Sequence, residues 1–176
     1  MNKRKVEFLP MTTKTLLEML NPELLNPQKR DTRYDGSPMM HVKNMGPGQK
    51  GSTCEKMVED LYTKMGSVVE KPTSSEHDRI IDGIKTEIKG SCLAANSDVF
   101  SFLQIRPNQD YSQLIFFMAY PNEVVMMKMN KETVMKCVEN KHFKPQHGGK
   151  KGNSGTYLYY GNPTTLLELG AEKIDA

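Results

Sequence analysis

The sequence predicts an α/β fold (α+β in the stricter sense) with a mixed central β-sheet flanked by helices. Helix-like and strand-like hydrophobic patterns follow one another in the order helix, several strands in succession, helix, strand. The chain has 176 residues, of which 37% are hydrophobic and 26% charged, which is typical of one globular domain. We therefore expect a single domain over residues 1–176. Its core is expected at about 51–160, after an N-terminal part (1–50) made of one helix and a long basic loop.

Two helices are predicted in the N-terminal half. The first covers Thr13–Leu20. Asn26–Gly51 is rich in Gly, Pro and Asn and has no clear periodicity, which predicts a long loop. Ser52 or Thr53 is then expected to cap a helix that ends near Met65. Its buried face is predicted to carry Cys54, Met57, Val58, Leu61 and Met65.

Strands dominate the prediction for the rest of the chain. Arg79–Ile81 and the β-rich stretch from Ile84 should pair as a hairpin around the two-residue turn Asp82-Gly83. Asn130 is expected to cap a helix over roughly 131–138, followed by a loop to Asn153. The other predicted elements are strands at Val99–Arg106, Gln113–Tyr120, Val124–Met129 and Thr156–Tyr160, and a closing helix at Thr164–Leu169.

The composition argues against several classes of protein. The longest strongly apolar run, Leu114–Tyr120, is too short to cross a bilayer, so no membrane partner is expected. The basic N-terminus has no apolar stretch behind it of the kind that makes a secretory signal. The three cysteines are odd in number and widely spaced, which argues against disulfides and against a structural zinc site. We expect a reducing, cytoplasmic compartment.

Positive charge is concentrated in two segments although the net charge is only +3. Residues 141–152 carry four lysines and no acid, and residues 28–50 carry five basic side chains against two acids. Each segment alone is typical of a solvated loop. Whether the two segments indicate a ligand depends on what lies between them.

The predicted hairpin would gather two acids and a lysine on one face. With Asp82-Gly83 as the turn, antiparallel pairing places Asp78 opposite Glu87, and alternation turns Lys89 to the same side. Opposed Cβ atoms lie about 4.5–5.5 Å apart, a range at which two carboxylates repel. A divalent cation such as Mg²⁺ removes that repulsion and can activate water for phosphodiester hydrolysis. The other face, predicted to be the core side, carries Ile81, Thr86 and Ile88.

The same spacing also has an ordinary interpretation. A second Glu-x-Lys triplet, Glu139-Asn140-Lys141, occurs at a predicted helix end where no site is expected. An exposed pair of acids can also be tolerated among lysines, and Lys85 is close in sequence. Spacing alone therefore leaves both a catalytic and a structural hairpin open.

Residues 78–91 (DRIIDGIKTEIKGS) resemble the D…ExK hairpin of PD-(D/E)XK nucleases, above all small type II restriction endonucleases and their phage- or virus-borne relatives. Residues 102–107 (FLQIRP) with Asp110-Tyr111, residues 114–119 and residues 146–152 (QHGGKKG) are also similar to members of that group. The resemblance covers about Gly51–Tyr160. His77 stands where the family usually has proline.

The resemblance implies a restriction-endonuclease-like core and a role for each matching residue. Asp78 and Glu87 would be metal ligands and Lys89 the catalytic lysine. Many members add a glutamate from the preceding helix, and Glu55 matches it better than Glu59. Gln104 would help to position the site, as a glutamine on the next strand does in the family. Side chains expected to contact DNA are Lys43, Lys50, Arg106, His147, Lys150 and Lys151.

The implied activity is a Mg²⁺-dependent, sequence-specific endonuclease that hydrolyses phosphodiester bonds of double-stranded DNA, with Mn²⁺ able to substitute. Symmetric cutting of both strands needs two sites, so a homodimer is expected. Two alternatives remain open at this point. One is a structure-specific DNA nuclease, such as a junction resolvase or a repair nicking enzyme. The other is a non-catalytic DNA-binding protein on the same fold.

Overall fold

The structure is a computed structural model that describes residues 31–146 and 155–175. The elements described here belong to the compact unit within Thr32–Ala176. The helix expected at Thr13–Leu20 lies outside the described residues. That helix, and the assignment of the whole chain to one domain, therefore stay predictions.

The described chain begins with a short 3₁₀ turn at Thr32–Tyr34 and continues as four helices and nine strands. The helices are α1 (Met40–Asn44), α2 (Pro47–Lys64), α3 (Lys131–Glu139) and α4 (Pro163–Glu168). The strands are β1 (Val69–Glu70), β2 (Arg79–Ile81), β3 (Ile84–Cys92), β4 (Phe100–Ile105), β5 (Gln113–Ala119), β6 (Val124–Asn130), β7 (Lys144–Pro145), β8 (Tyr157–Gly161) and β9 (Glu172–Ile174).

The strands form two sheets. The main sheet has the order β1-β2-β3-β5-β6-β9, in which β3 and β5 run parallel and all other neighbours antiparallel. The second sheet is antiparallel and has the order β4-β8-β7. The mixed sheet and its helices confirm the predicted fold class. The strand expected at Val99–Arg106 forms, as β4, but it lies in the second sheet.

The main sheet is covered on both faces, and residues 114–119 of its central strand β5 are therefore completely buried. On one face α2 packs closely on β3, because a Cβ at Gly90 would lie only 2.3 Å from the Cβ of Cys54. On the other face the second sheet packs through aromatic rings, with Phe102 edge-on to Phe116 at 4.9 Å between centroids. Phe116 pairs with Lys89 in register, so Lys89 lies on the face that the second sheet covers.

The predicted hairpin is confirmed. Ile81 pairs with Ile84 around a turn in which Asp82 and Gly83 both have positive φ (+50° and +79°), as a type I′ turn requires. The face expected to be the core side is buried at Ile81, Thr86 and Ile88.

The prediction for the N-terminal loop and the start of the next helix was wrong. Residues 32–51 contain the 3₁₀ turn, α1 and the first five residues of α2, which begins at Pro47 rather than after Ser52 or Thr53. Proline is preorganised for the first helical position, and Lys50 stabilises this turn by donating to the backbone carbonyl of Lys43 at 3.1 Å. Met65 was expected on the buried face, but it follows the last helical residue and is 45% exposed.

Two short strands have no counterpart in the prediction. β9 has only three residues, two of them charged, and it pairs with residues 126–128 at the edge of the main sheet. β7 has two residues, Lys144 and Pro145, which sequence patterns assign to a loop. Both strands are too short for an alternating pattern, and both form because a partner strand distant in sequence lies beside them.

Among the described helices, none has the length and apolar character needed to cross a membrane. Cys54, Cys92 and Cys137 are all buried and free. The expected reducing compartment stays a prediction.

The close approach of α2 to β3 gives the first testable prediction. Gly90→Ala should lower the free energy of unfolding by about 1–3 kcal/mol, because the added methyl group overlaps Cys54 and α2 must move away. Thermal unfolding followed by circular dichroism measures the change. Gly48→Ala in the first turn of α2 is the control, because a Cβ there meets no atom within 4 Å. Equal melting temperatures for Gly90→Ala and the wild type would contradict this packing.

Candidate active site

The candidate site lies at the open end of the β2–β3 hairpin. Asp78 directly precedes β2, and Glu87 and Lys89 are two residues apart in β3, so their side chains share one face. That face is covered by the second sheet, and Glu87 is only 5% exposed. The Lys89 side chain is 20% exposed and reaches the edge of the buried region.

Asp78 is held by hydrogen bonds to backbone groups, outside the regular pairing of β2 with β3. Its N–H donates to the carbonyl of Thr86 at 3.0 Å, although Thr86 already pairs with Arg79. Its carboxylate Oδ2 accepts a hydrogen bond from the N–H of Ile88 at 2.8 Å. The regular pairing of β2 with β3 thus ends at Arg79 and Thr86, and the predicted pairing of Asp78 directly opposite Glu87 is not part of it. The two acids still interact, because, besides burial, the charge of Asp78 and its side-chain hydrogen bonding raise the pKa of the Glu87 carboxyl.

The electrostatics of Glu87 reflect burial beside another acid. Burial raises the pKa of the Glu87 carboxyl, the charge of Lys89 opposes that rise, and the neighbouring Asp78 adds to it. Lys89 Nζ donates to Glu87 Oε1 at 2.5 Å. One ammonium group therefore partly compensates two adjoining carboxyl groups.

Glu55 approaches the same acids from α2. Burial and the charge of Asp78 raise its pKa, whereas Arg79 and Lys89 lower it. Arg79 pairs with two glutamates of α2, because its Nη1 lies 3.7 Å from Glu55 Oε2 and its Nε bonds Glu59 Oε2 at 2.9 Å. Sequence patterns gave no signal for Arg79, which lies on the α2 side of the hairpin.

The donor set fits a hard divalent cation, although it is not assembled in full. Within residues 31–146 and 155–175, no group of three or more His, Cys, Asp or Glu side chains is arranged to hold a metal ion. Asp78 and Glu87 adjoin each other, and Glu55 pairs with Arg79. Mg²⁺ commonly takes only one or two protein carboxylates and completes its shell with water and phosphate oxygens. Asp78 and Glu87 could hold such an ion, and Glu55 is placed to add a third carboxylate.

Lys85 is not the lysine that pairs with the two acids. Lys85 Nζ pairs with Asp110 Oδ2 at 2.5 Å, so its charge is committed outside the Asp78–Glu87 pair. The second Glu-x-Lys triplet is unlike the hairpin, because Glu139 and Lys141 are both exposed at the end of α3.

Gln104 is placed in the second sheet and not in the hairpin. It lies where the register between β4 and β8 shifts, and its φ of +56° is unusual for a residue other than glycine. Its side chain is exposed, and its backbone N–H donates to Gln146 Oε1 at 2.8 Å.

The side chains expected to contact DNA are placed in different ways. Lys43 donates to the backbone carbonyl of Leu93 and lies 5.1 Å from the ring centroid of Tyr34. Lys50 donates to the carbonyl of Lys43, so both lysines help to attach the N-terminal helices. Arg106 is exposed just after β4. His147, Lys150 and Lys151 lie outside the described residues. A DNA-binding role for all six stays a prediction.

Comparisons with known proteins add little. No family model matches the chain, and no curated protein matches it. Among solved structures, a bacterial homing endonuclease is similar with a TM-score of 0.46 and 14% identity, over 67% of this chain and 77% of that one. A likeness this weak carries no argument about function, which has to be inferred from the hairpin itself.

The raised pKa of Glu87 gives a prediction about pH. Without divalent cations, ionising Glu87 opposes folding, so the stability it contributes is present in acid and is lost as the pH rises through its raised pKa. Each unit of pKa shift corresponds to about 1.4 kcal/mol. The melting temperature should therefore fall as the pH rises above the ordinary glutamate range. Mg²⁺ should reverse the fall, because it binds the ionised pair.

Glu87→Gln cannot ionise and should show neither this fall nor the response to Mg²⁺. Glu59→Gln is the matched control, because ion pairs with Lys56 and Arg79 lower the pKa of Glu59 instead. Melting curves from pH 4 to 8, with and without Mg²⁺, make the comparison. Identical pH profiles for the wild type and Glu87→Gln would show that Glu87 is an ordinary solvated acid.

Proposed function

We propose that this protein is a Mg²⁺-dependent endonuclease that hydrolyses phosphodiester bonds in double-stranded DNA at a specific sequence. The observation that carries the proposal is the adjoining pair of carboxyl groups on Asp78 and Glu87, with the ammonium group of Lys89 bonded to Glu87. The resemblance of this hairpin to PD-(D/E)XK nucleases supports the same function.

Asp78 and Glu87 are suited to holding a cation for different reasons. Asp78 is oriented in advance, because the N–H of Ile88 binds one of its carboxylate oxygens and leaves the other for a ligand. Glu87 is buried and poorly compensated, so a cation relieves an existing electrostatic penalty. When bound, Mg²⁺ supplies Lewis-acid polarisation of the phosphate and a more acidic water molecule.

Lys89 has a role beyond compensating charge. In this structure its ammonium group is bonded to Glu87. With a cation held by Glu87, Lys89 would be free to orient the attacking water or to stabilise the negative charge that builds on the phosphate oxygens. The water oxygen forms a new bond to phosphorus, the bond from phosphorus to one deoxyribose oxygen breaks, and that oxygen takes up a proton.

The remaining parts of the proposal concern DNA contacts, oligomeric state, the metal and the compartment. Arg106 and the basic residues His147, Lys150 and Lys151 contact DNA, with phosphate contacts fixing orientation and base contacts giving sequence specificity. Cutting both strands requires two sites, so the working form is a homodimer. Mn²⁺ substitutes for Mg²⁺, and the protein works in a reducing, cytoplasmic compartment.

The direct test is incubation of purified protein with plasmid and phage DNA in the presence of Mg²⁺. The wild type should cut, and EDTA should abolish cutting. Lys89→Ala and Glu87→Gln should each lower the cleavage rate by about 10²–10⁴-fold, the range typical of losing a group that acts in proton transfer or charge stabilisation. Gel-shift binding should survive both substitutions, since neither removes a residue assigned to DNA contact.

The chain offers a matched control in its second Glu-x-Lys triplet. Glu139→Gln and Lys141→Ala make the same chemical changes at exposed positions at the end of α3 and just after it, and cutting should be unaffected. DNA binding without cutting by the wild type, with Mg²⁺ or Mn²⁺, would mean a non-catalytic binding protein on this fold.

The proposal also predicts that the substrate is plain duplex DNA rather than branched DNA. Sequence-specific cutting should turn a linear duplex into discrete fragments whose sequenced ends share one motif, and both strands should be cut at each site. A four-way junction or a flap should be cut no faster than a duplex that contains the motif. Cutting confined to branched DNA, with plain duplex left intact, would instead identify a structure-specific nuclease.

A further inference from the structure

The second sheet packs one face on the main sheet and turns the other away from it. Phe102 and Tyr159 both pack on Phe116 of the main sheet, with ring centroids 4.9 and 6.3 Å apart. Because side chains alternate along a strand, their neighbours lie on the opposite side. We call that side the outer face, and its described residues are Ser101, Leu103, Gln104, Lys144, Leu158 and Tyr160. Leu103 is 44% exposed and Tyr160 56%, so both are open to solvent.

The outer face carries positive charge without acids to balance it. None of the residues of β4, β7 and β8 is Asp or Glu. Lys144 on β7 is exposed, and so is Arg106 directly after β4. Neither side chain forms an ion pair within residues 31–146 and 155–175. Two copies of such a face would repel each other, whereas a polyanion such as DNA would be attracted.

Gln104 has a strained backbone in the middle of a strand. Its φ of +56° is a conformation that glycine adopts more easily than any residue with a Cβ. The other described non-glycine residues with positive φ are Asp82, Asn96 and Lys141, and all three lie in turns. The Gln104 conformation is fixed from a neighbouring segment, because its N–H donates to Gln146 Oε1 at 2.8 Å.

The strained residue is the extra residue of a β-bulge. The register shifts so that two residues of β4, Leu103 and Gln104, lie opposite Leu158 of β8. Both of these β4 residues are exposed. Bulges re-aim side chains, and backbone strain of this kind is concentrated at functional sites. Glycine would relieve the strain, so a glutamine here indicates that the exposed amide has a use outside the fold.

The end of β4 that carries Gln104 lies towards the candidate active site. The loop that follows β4, residues 106–112, is attached to the hairpin that carries the two acids. The N–H of Asp110 donates to Glu76 Oε2 at 3.2 Å, and its carboxylate pairs with a lysine of β3. Glu76 precedes Asp78 by two residues. DNA bound at the two acids is therefore within reach of this end of the outer face.

We propose that the outer face of the second sheet reads the major groove of double-stranded DNA, with Gln104 as a specificity-determining residue. The inference rests on the proposed function. A pair of antiparallel strands fits the major groove, and a glutamine amide can both donate to and accept from the edge of adenine. Tyr160 and Leu103 supply apolar contacts to the bases, and Lys144 contacts phosphate.

The first test separates the strain at Gln104 from the use of its side chain. Gln104→Gly removes both, whereas Gln104→Ala removes only the side chain. The melting temperature should rise by about 2–4 °C for Gln104→Gly and stay within about 1 °C of the wild type for Gln104→Ala. In both variants, the preference in kcat/KM for a duplex with the cleavage motif over one with a single changed base pair should fall about 10–100-fold.

Asn96→Gly is the matched control for this test. It relieves a similar φ of +55° at an exposed position in the turn before β4, so cleavage preference should be unchanged. Unchanged preference in Gln104→Ala would show that the side chain does not read DNA. A lower melting temperature for Gln104→Gly would show that Gln104 stabilises the fold instead.

The second test concerns the surface and uses binding in EDTA, where DNA is not cut. Lys144→Ala should weaken binding to any duplex and lower the slope of log affinity against log salt by about 1. Lys64→Ala, at an exposed position at the end of α2, should change neither. Tyr160→Ser should weaken binding to the motif duplex by about 5-fold, with the oligomeric state unchanged in sedimentation.

Unchanged affinity in both Lys144→Ala and Tyr160→Ser would show that DNA does not touch the outer face. A change of oligomeric state in Tyr160→Ser would show that a second copy of the chain covers this face instead. Failure of the wild type to cut any DNA would overturn the proposed function, whereas the EDTA binding measurements would still decide whether the outer face contacts DNA.

Discussion

The adjoining carboxyl groups of Asp78 and Glu87 are the constraint to which the rest of the site responds. Two interacting acids, one of them almost completely buried, oppose folding unless positive charge or hydrogen-bond donors compensate them. The protein provides limited compensation: the N–H of Ile88 for Asp78 and the ammonium group of Lys89 for Glu87. That shortage of compensation is what makes the pair suited to a cation.

The layers of the fold maintain this arrangement. The main sheet is covered by α2 on one face and by the second sheet on the other, so water is largely excluded from Glu87. Exclusion of water strengthens both the repulsion between the acids and their attraction for a cation. α2 contributes in a second way, because it presents Glu55 close enough to Asp78 for the two charges to interact, while Arg79 pairs with Glu55. A cation bound by Asp78 and Glu87 would compete with Arg79 for Glu55.

More lysine side chains stabilise the fold of this protein than its sequence indicates. Lys43, Lys50, Lys85 and Lys131 all bond to carbonyl or carboxylate groups of the protein itself. The first two belong to a segment whose basic composition suggested contact with nucleic acid. A lysine anchored to the backbone contributes to the field around a DNA site, but it must break a contact to touch a phosphate. The count of basic residues therefore overstates the number of cations free to bind DNA.

The sequence alone determined the features that local geometry controls. The turn at Asp82-Gly83, the alternation that separates Glu87 and Lys89 from Ile88, and the cap at Asn130 follow from backbone preferences and short spacings. The order and approximate bounds of most strands were predictable for the same reason.

Only the tertiary structure decided which acid is buried and where α2 begins. It also decided that β4 lies in a second sheet and that Lys85 forms an ion pair with Asp110. Each of these depends on contacts between residues far apart in the chain, such as Gly90 with Cys54, and no local pattern encodes such contacts.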